Sequence, residues 1–290
     1  MTTSPQGDQN TQNSQSTPGS HGYVAVNGLN MYYEMHGTGT GTGSGSDVPL
    51  VLLHGGMSAT GTSFGKLLPG LAQSRRIIAL EQQAHGHTAD IDRPLSMEQM
   101  ADDTAAALQQ LGITNADILG YSVGAGIALQ VAIRHPEMAR KLVLISVTYN
   151  SAGLHPGLQE GIANVTPEAF AGTPFYEEYL QIAPRPEDFP RLVERMKHLD
   201  SQVQDWPAEA IQAIKPPVLL IIGDSDIIRP EHAVEMFRLL GGGVMGDMAG
   251  LPNSQLAILP GTTHITVVHR ADLLLTIIPA FLDAPMPEPR

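Results

Sequence analysis

The chain has 290 residues, 42% of them hydrophobic, enough for one α/β domain carrying an inserted subdomain. Its 16 Lys and Arg against 29 Asp and Glu give a formal charge of −13, which repels nucleic acid and anionic lipid. Cysteine is absent, which excludes disulfides, thiolate chemistry and a cysteine-based zinc site, and no run approaches the ~20 apolar residues of a membrane span.

Residues 1–22 are rich in Ser, Thr, Gln, Asn and Gly and are expected to form a mobile tail, because so little apolar surface cannot offset the entropy of ordering. The first Lys or Arg is Lys66, so no cationic secretory leader is expected and the chain reads as cytoplasmic. Residues 23–26 and 29–36 flank Asn27-Gly28, the pair that best tolerates the positive φ angles of a type I′ turn, and predict a β-hairpin. A Gly/Thr/Ser-rich loop follows over 37–46.

From residue 49 strands and helices alternate. Strands are predicted at 49–53, 76–80, 116–119, 142–147, 218–222 and 256–259, and helices at 64–72, 97–111, 123–135, 230–240 and 271–282. The continuous apolar runs at 142–147 and 218–222 fit strands buried on both faces of a parallel sheet. Ser96 and Gln99 predict a capping box for the 97–111 helix, and Leu95 with Met100 a staple. The pattern predicts a doubly wound, mostly parallel, eight-stranded sheet with helices on both faces.

The alternation stops between 148 and 214. Prolines recur there, short helices fit 167–170, 175–180 and 187–199, and the segment holds seven of the chain's fourteen aromatic side chains, so a helical cap with an aromatic lining is expected. The core is then 23–147 with 215–290, and the cap 148–214.

Gly120-Tyr121-Ser122-Val123-Gly124 joins an apolar strand to an Ala/Gly/Leu helix. This is the pattern of a nucleophile elbow, in which a serine at positive φ is lifted out of a strand-to-helix turn, and the residues two before and two after must be small. A serine needs a base to take its proton and a carboxylate to orient that base. Two later strands end in suitable loops, Gly223-Asp224-Ser225-Asp226 and Pro260-Gly261-Thr262-Thr263-His264, giving the chain order serine, acid, histidine.

With these motifs, residues 23–283 resemble the α/β-hydrolase superfamily. The resemblance implies Asp226 rather than Asp224 as the acid, since the family's acid is the second Asp of G-D-x-D, and His264 rather than His269 as the base. His54-Gly55-Gly56-Met57 resembles the H-G-x oxyanion loop, so the amide of Val123 and one from this loop, Gly56 fitting best and Met57 less well, are the expected oxyanion donors, each worth ~3 kcal/mol of transition-state stabilisation. Residues 81–88, Glu-Gln-Gln-Ala-His-Gly-His-Thr, depart from the family's D-x-R-G-x-G-x-S loop at four positions, which leaves its hydrogen-bond network open. A metal site built on His54, His85, His87 and His264 is not expected, because no carboxylate is spaced to complete it. The implied activity is carboxylic ester hydrolysis through an acyl-serine, with no cofactor, on a small or medium ester held by Met57, Tyr121, Tyr149 and Trp206. Thioesterase, lactonase, amidase, carbon–carbon bond hydrolase and acyltransferase chemistry use the same groups, and a receptor-like ligand binder is a rival of another class. The oligomeric state is not legible.

Overall fold

In a computed structural model, residues 19–37, 48–202 and 205–287 are described; most of the expected tail and of the 37–46 loop lies outside them. The strands are β1 Ser20–Val26, β2 Leu29–His36, β3 Leu50–Leu53, β4 Ile77–Leu80, β5 Ala116–Tyr121, β6 Ala139–Ile145, β7 Val218–Ser225 and β8 Ser254–Thr263. They form one sheet in the order β1-β2-β4-β3-β5-β6-β7-β8, antiparallel at β1/β2 and β2/β4 and parallel elsewhere. The predicted mostly parallel eight-stranded sheet is therefore present. Strand β1 begins at Ser20, three residues into the expected tail, because Ser20 to Gly22 continue the register opposite Met35 to Tyr33. Asn27 and Gly28 both have positive φ, 48° and 82°, as a type I′ turn requires.

The helices before the Ser122 turn are α1 Thr60–Phe64, α2 Leu68–Leu71 and α3 Met97–Gln110, and α4 Val123–Arg134 follows it. One helix was expected over 64–72; instead two short ones meet there, since the start of α1 is capped from outside its own sequence. The cap residue Ala59 has no side-chain acceptor, and the Ala59 and Thr62 amides donate to the Glu178 carboxylate, at 3.1 and 3.0 Å. At α3, Ser96 Oγ accepts from the Gln99 amide, but the Gln99 side chain donates to Asp103, so half of the capping box forms.

Between β6 and β7 the described residues are helices and turns: α5 Leu158–Ala163, α6 Pro174–Ile182, α7 Phe189–Ser201 and α8 Ala208–Gln212. After β7 come α9 Pro230–Leu239, the short α10 Gly246–Ala249 in the loop before β8, and α11 Ala271–Asp283. Two apolar layers hold the sheet. One contains α3, α4 and the buried face of α7; the other contains Phe64, Leu67, Leu71 and the α11 residues Leu274, Ile278 and Phe281. None of the described helices is long and apolar enough to cross a membrane.

Candidate active site

Ser122 sits between β5 and α4 with φ 54° and ψ −118°. A Cβ on Gly120 would collide with the Gly124 carbonyl, and one on Gly124 with the Leu53 carbonyl, so both positions need glycine for strand and helix to cross at this distance. The Ser122 amide donates to the Ile145 carbonyl at 2.9 Å, which ties the turn to β6.

His264 follows β8, and its Nε2 lies 2.9 Å from Ser122 Oγ. Its Nδ1 lies 2.8 Å from Asp226 Oδ1. With Nδ1 protonated toward Asp226, Nε2 is left to accept from the serine hydroxyl. Asp226 is 4% exposed and also accepts from Ser146 Oγ and from the Gly223 and Ile228 amides, at 2.5, 3.2 and 3.3 Å. Burial pushes this carboxyl up, but the hydrogen bond and charge of His264, with Ser146 and the Gly223 amide, outweigh it and hold it below the usual carboxylate range. Asp224 is exposed and does different work: its carboxylate accepts from the Gly261 and Thr262 amides at 2.9 and 3.1 Å, fixing the turn that delivers His264.

Sequence reasoning missed Ser146. It has φ 57° at the end of β6, the strand lying between those that lead to Ser122 and Asp226. A polar residue directly after the apolar buried run 142–145 was the available signal.

Met57, φ 61°, donates its amide to His85 Nε2 at 3.2 Å, which removes it as an oxyanion donor. The Gly56 amide precedes it, and the Val123 amide opens α4, where the first N–H groups have no intrahelical acceptor. Gly56 and Val123 are in close proximity, since a Cβ on Gly56 would stand 3.0 Å from Val123 Cγ2, and both face the cavity that contains Ser122.

The loop is held by buried histidines. His54 Nδ1 pairs with the Gly55 carbonyl at 2.8 Å and its Nε2 accepts the Gln82 amide at 3.0 Å; His85 Nδ1 pairs with the Gln83 carbonyl at 2.9 Å. The departures at 81–88 form their own network. Glu81 accepts from the His87 amide and ring at 2.7 and 2.9 Å, Thr88 Oγ1 donates to the Glu81 carbonyl at 2.7 Å, and the Gln83 amide joins Asp90 to Arg93.

The cavity over Ser122 measures about 260 Å³. Its floor is Gly56, Met57, Val123 and His264, and its roof comes from the helical segment: Leu154, Leu158, Ile162, Met196 and Leu199. Of the four expected pocket residues only Met57 lines it. Tyr121 is buried beneath the His54–Met57 loop, and its hydroxyl donates to the His264 carbonyl at 2.9 Å. Tyr149 is 3% exposed, stacks on His232 and donates to Glu235 at 2.6 Å. Trp206 donates to Glu98 at 3.1 Å, in a cleft beside the cavity.

The expected aromatic lining is corrected likewise. Phe170, Tyr176 and Tyr179 pack edge-on around Phe189, because those rings form the apolar interior of the helical segment and leave the cavity to aliphatic and methionine side chains. A further residue that sequence reasoning missed, Asp200 on α7, also lines the cavity.

The profile of the alpha/beta hydrolase fold matches residues 48–207, more than half of the chain, which therefore belongs to that family. It is 38% identical over 117 residues to a 2-hydroxymuconate semialdehyde hydrolase of Pseudomonas sp. (strain CF600); that match spans 39% of this chain and only 40% of the relative. It is 25% identical over 289 residues to the uncharacterized hydrolase YugF of Bacillus subtilis, covering 89% of this chain and 96% of the relative. Among solved structures it is similar to the carboxylesterase CesB (YbfK) of Bacillus subtilis, with a TM-score of 0.70, 17% identity and 94% of each chain covered.

Proposed function

We propose that this hydrolase cleaves a small or medium carboxylic ester through an acyl-serine intermediate. The observation that carries the reading is the continuous relay from Ser122 Oγ through His264 to the buried Asp226, opening onto a cavity. Ser122 attacks the ester carbonyl as His264 Nε2 takes its proton, and Asp226 holds the resulting imidazolium. The amides of Gly56 and Val123 receive the oxyanion. The tetrahedral intermediate then collapses and expels the alcohol, which takes the proton from His264. Water, deprotonated by His264, attacks the acyl-enzyme and releases the acid. No step calls for a cofactor.

The similarity to a 2-hydroxymuconate semialdehyde hydrolase supports a second reading, in which the same serine and histidine act on a non-ester substrate. The cavity wall carries no Lys or Arg among the described residues, and it carries Asp200, which favours neutral or cationic substrates over anionic ones.

The test is a panel of acyl and aryl esters, thioesters, lactones and amides with wild type and Ser122→Ala, alongside fluorophosphonate labelling. Ester turnover in wild type should exceed that in Ser122→Ala by several orders of magnitude, and the probe should modify Ser122 alone. Labelling elsewhere, or wild-type turnover by Ser122→Ala, would refute the mechanism.

A further inference from the structure

Buried carboxylates in this protein have partners. Asp117 is paired with Arg140, Asp103 with Arg93, and Asp90 with Arg195, while Asp226 and Glu178 accept several hydrogen bonds each. Asp200 differs. It lies four residues after Met196 on α7, hence on the same helix face, and both line the cavity over Ser122. Among the described residues no donor and no cation reaches its carboxylate. A half-buried carboxylate against Leu199 and Met196 without a partner is unfavourable unless something supplies one. Burial pushes the Asp200 carboxyl up to about 6, with the charge of His264 opposing, so it is predominantly ionised at neutral pH.

Asn150 lines the same wall, but its Oδ1 is buried away from the cavity space, so Asp200 is the acceptor a ligand there can reach. The cavity therefore offers one carboxylate without a protein donor and, among the described residues, no Lys or Arg to answer it.

We propose that Asp200 is a specificity-determining residue that pairs with a protonated amine on the substrate, so that the preferred substrate class is an amino-bearing ester. The inference rests on the ester-hydrolase reading above. Asp200 acts on the part of the substrate held beside the scissile bond, because Asp200 and Ser122 line the same cavity and the charge of His264 acts on the Asp200 carboxyl. An ammonium there gains a charge-assisted contact with a half-buried carboxylate, which an isosteric hydrocarbon cannot make.

Two pairs of esters that differ only in replacing a protonated nitrogen by carbon test it. On the alcohol side these are 2-(dimethylamino)ethyl acetate and 3-methylbutyl acetate; on the acyl side, ethyl 3-(dimethylamino)propanoate and ethyl 4-methylpentanoate. The readout at pH 7 is the ratio of kcat/KM within each pair, which does not depend on the active fraction of a preparation. Wild type should favour the amino ester of at least one pair by about tenfold or more, Asp200→Asn should bring that ratio close to one, and Asp200→Glu should restore part of it. A ratio near one in wild type for both pairs, or a preference that survives Asp200→Asn, would overturn the proposal. If no ester of either pair is turned over, the ester-hydrolase reading fails separately. Calorimetric binding of 2-(dimethylamino)ethanol to Ser122→Ala then decides: loss of binding in Ser122→Ala/Asp200→Asn supports the pairing, and undiminished or absent binding overturns it.

Discussion

Acidification from pH 7 to pH 5 should destabilise the protein strongly through two imidazoles that the fold keeps neutral. Burial, followed by the charge of His85, outweighs the Gly55 carbonyl and pushes His54 down to about 3; burial pushes His85 down to about 4 against the Gln83 carbonyl and Asp90. Each uses Nε2 as an acceptor for a backbone N–H, so protonation would set one N–H against another. In the unfolded chain both titrate near 6.5. The unfolded state therefore takes up protons first, and the stability present above about 6.5 is lost as pH falls toward the native values. Between pH 7 and 5 each group costs about 2 kcal/mol, and the pair about 4 kcal/mol. For a domain near this size that lowers Tm by roughly 8–15 °C.

His87 works in the opposite direction. Burial pulls it down, but the hydrogen bond and charge of Glu81 outweigh this and raise it, so its contribution is present at low pH and is lost as pH rises through its folded value. It offsets part of the loss. Urea unfolding of wild type and His85→Gln at pH 7, 6 and 5 is the measurement, since glutamine can accept the Met57 amide without titrating. The variant's pH slope between 6 and 5 should be shallower by about 1 kcal/mol per pH unit. Equal slopes, or a wild type equally stable at pH 7 and 5, would refute the reasoning.

Asp226→Asn should lower kcat by about 10⁴-fold, because the amide no longer holds the productive histidine tautomer. Asp224→Asn should cost less than about tenfold, since its remaining carbonyl oxygen can still accept from the Gly261–Thr262 turn. Trp206→Ala and Tyr149→Phe should lower Tm and leave the ranking among ester substrates unchanged, because neither ring lines the cavity; a reordered substrate panel would contradict their placement. Glu178→Ala leaves the Ala59 and Thr62 amides without their acceptor and should cost about 1–3 kcal/mol in chemical denaturation.

Strands and elbow were legible because their constraints are local. Continuous apolar runs such as 142–147 and 218–222 have few solutions outside a buried parallel strand, and Ser122 between two close-crossing glycines has few outside a nucleophile turn. The partners of Ser122 were legible because topology brings the ends of β7 and β8 beside β5 and β6 in a known chain order. What failed was non-local. The start of α1 depends on Glu178, 119 positions further along, so no local window reveals it. The density of aromatic residues between 148 and 214 shows that the segment has an interior of its own; it does not tell which faces meet the substrate. Asp200 was within reach, since its four-residue spacing from Met196 puts a carboxylate on an apolar helical stripe.

Three of the cavity's side chains, Met57, Met97 and Met196, are thioethers, which makes the site adaptable in shape and open to chemical damage. Unbranched and polarisable, they can repack around acyl groups of different outline. Conversion of any one to a sulfoxide would put a polar, bulkier group into the space beside Ser122. Met245 and Met248, on the loop before β8, are 72% and 82% exposed and meet a diffusing peroxide first. The exposed sulfurs should therefore oxidise faster than those beside Ser122, and inactivation should trail total methionine oxidation.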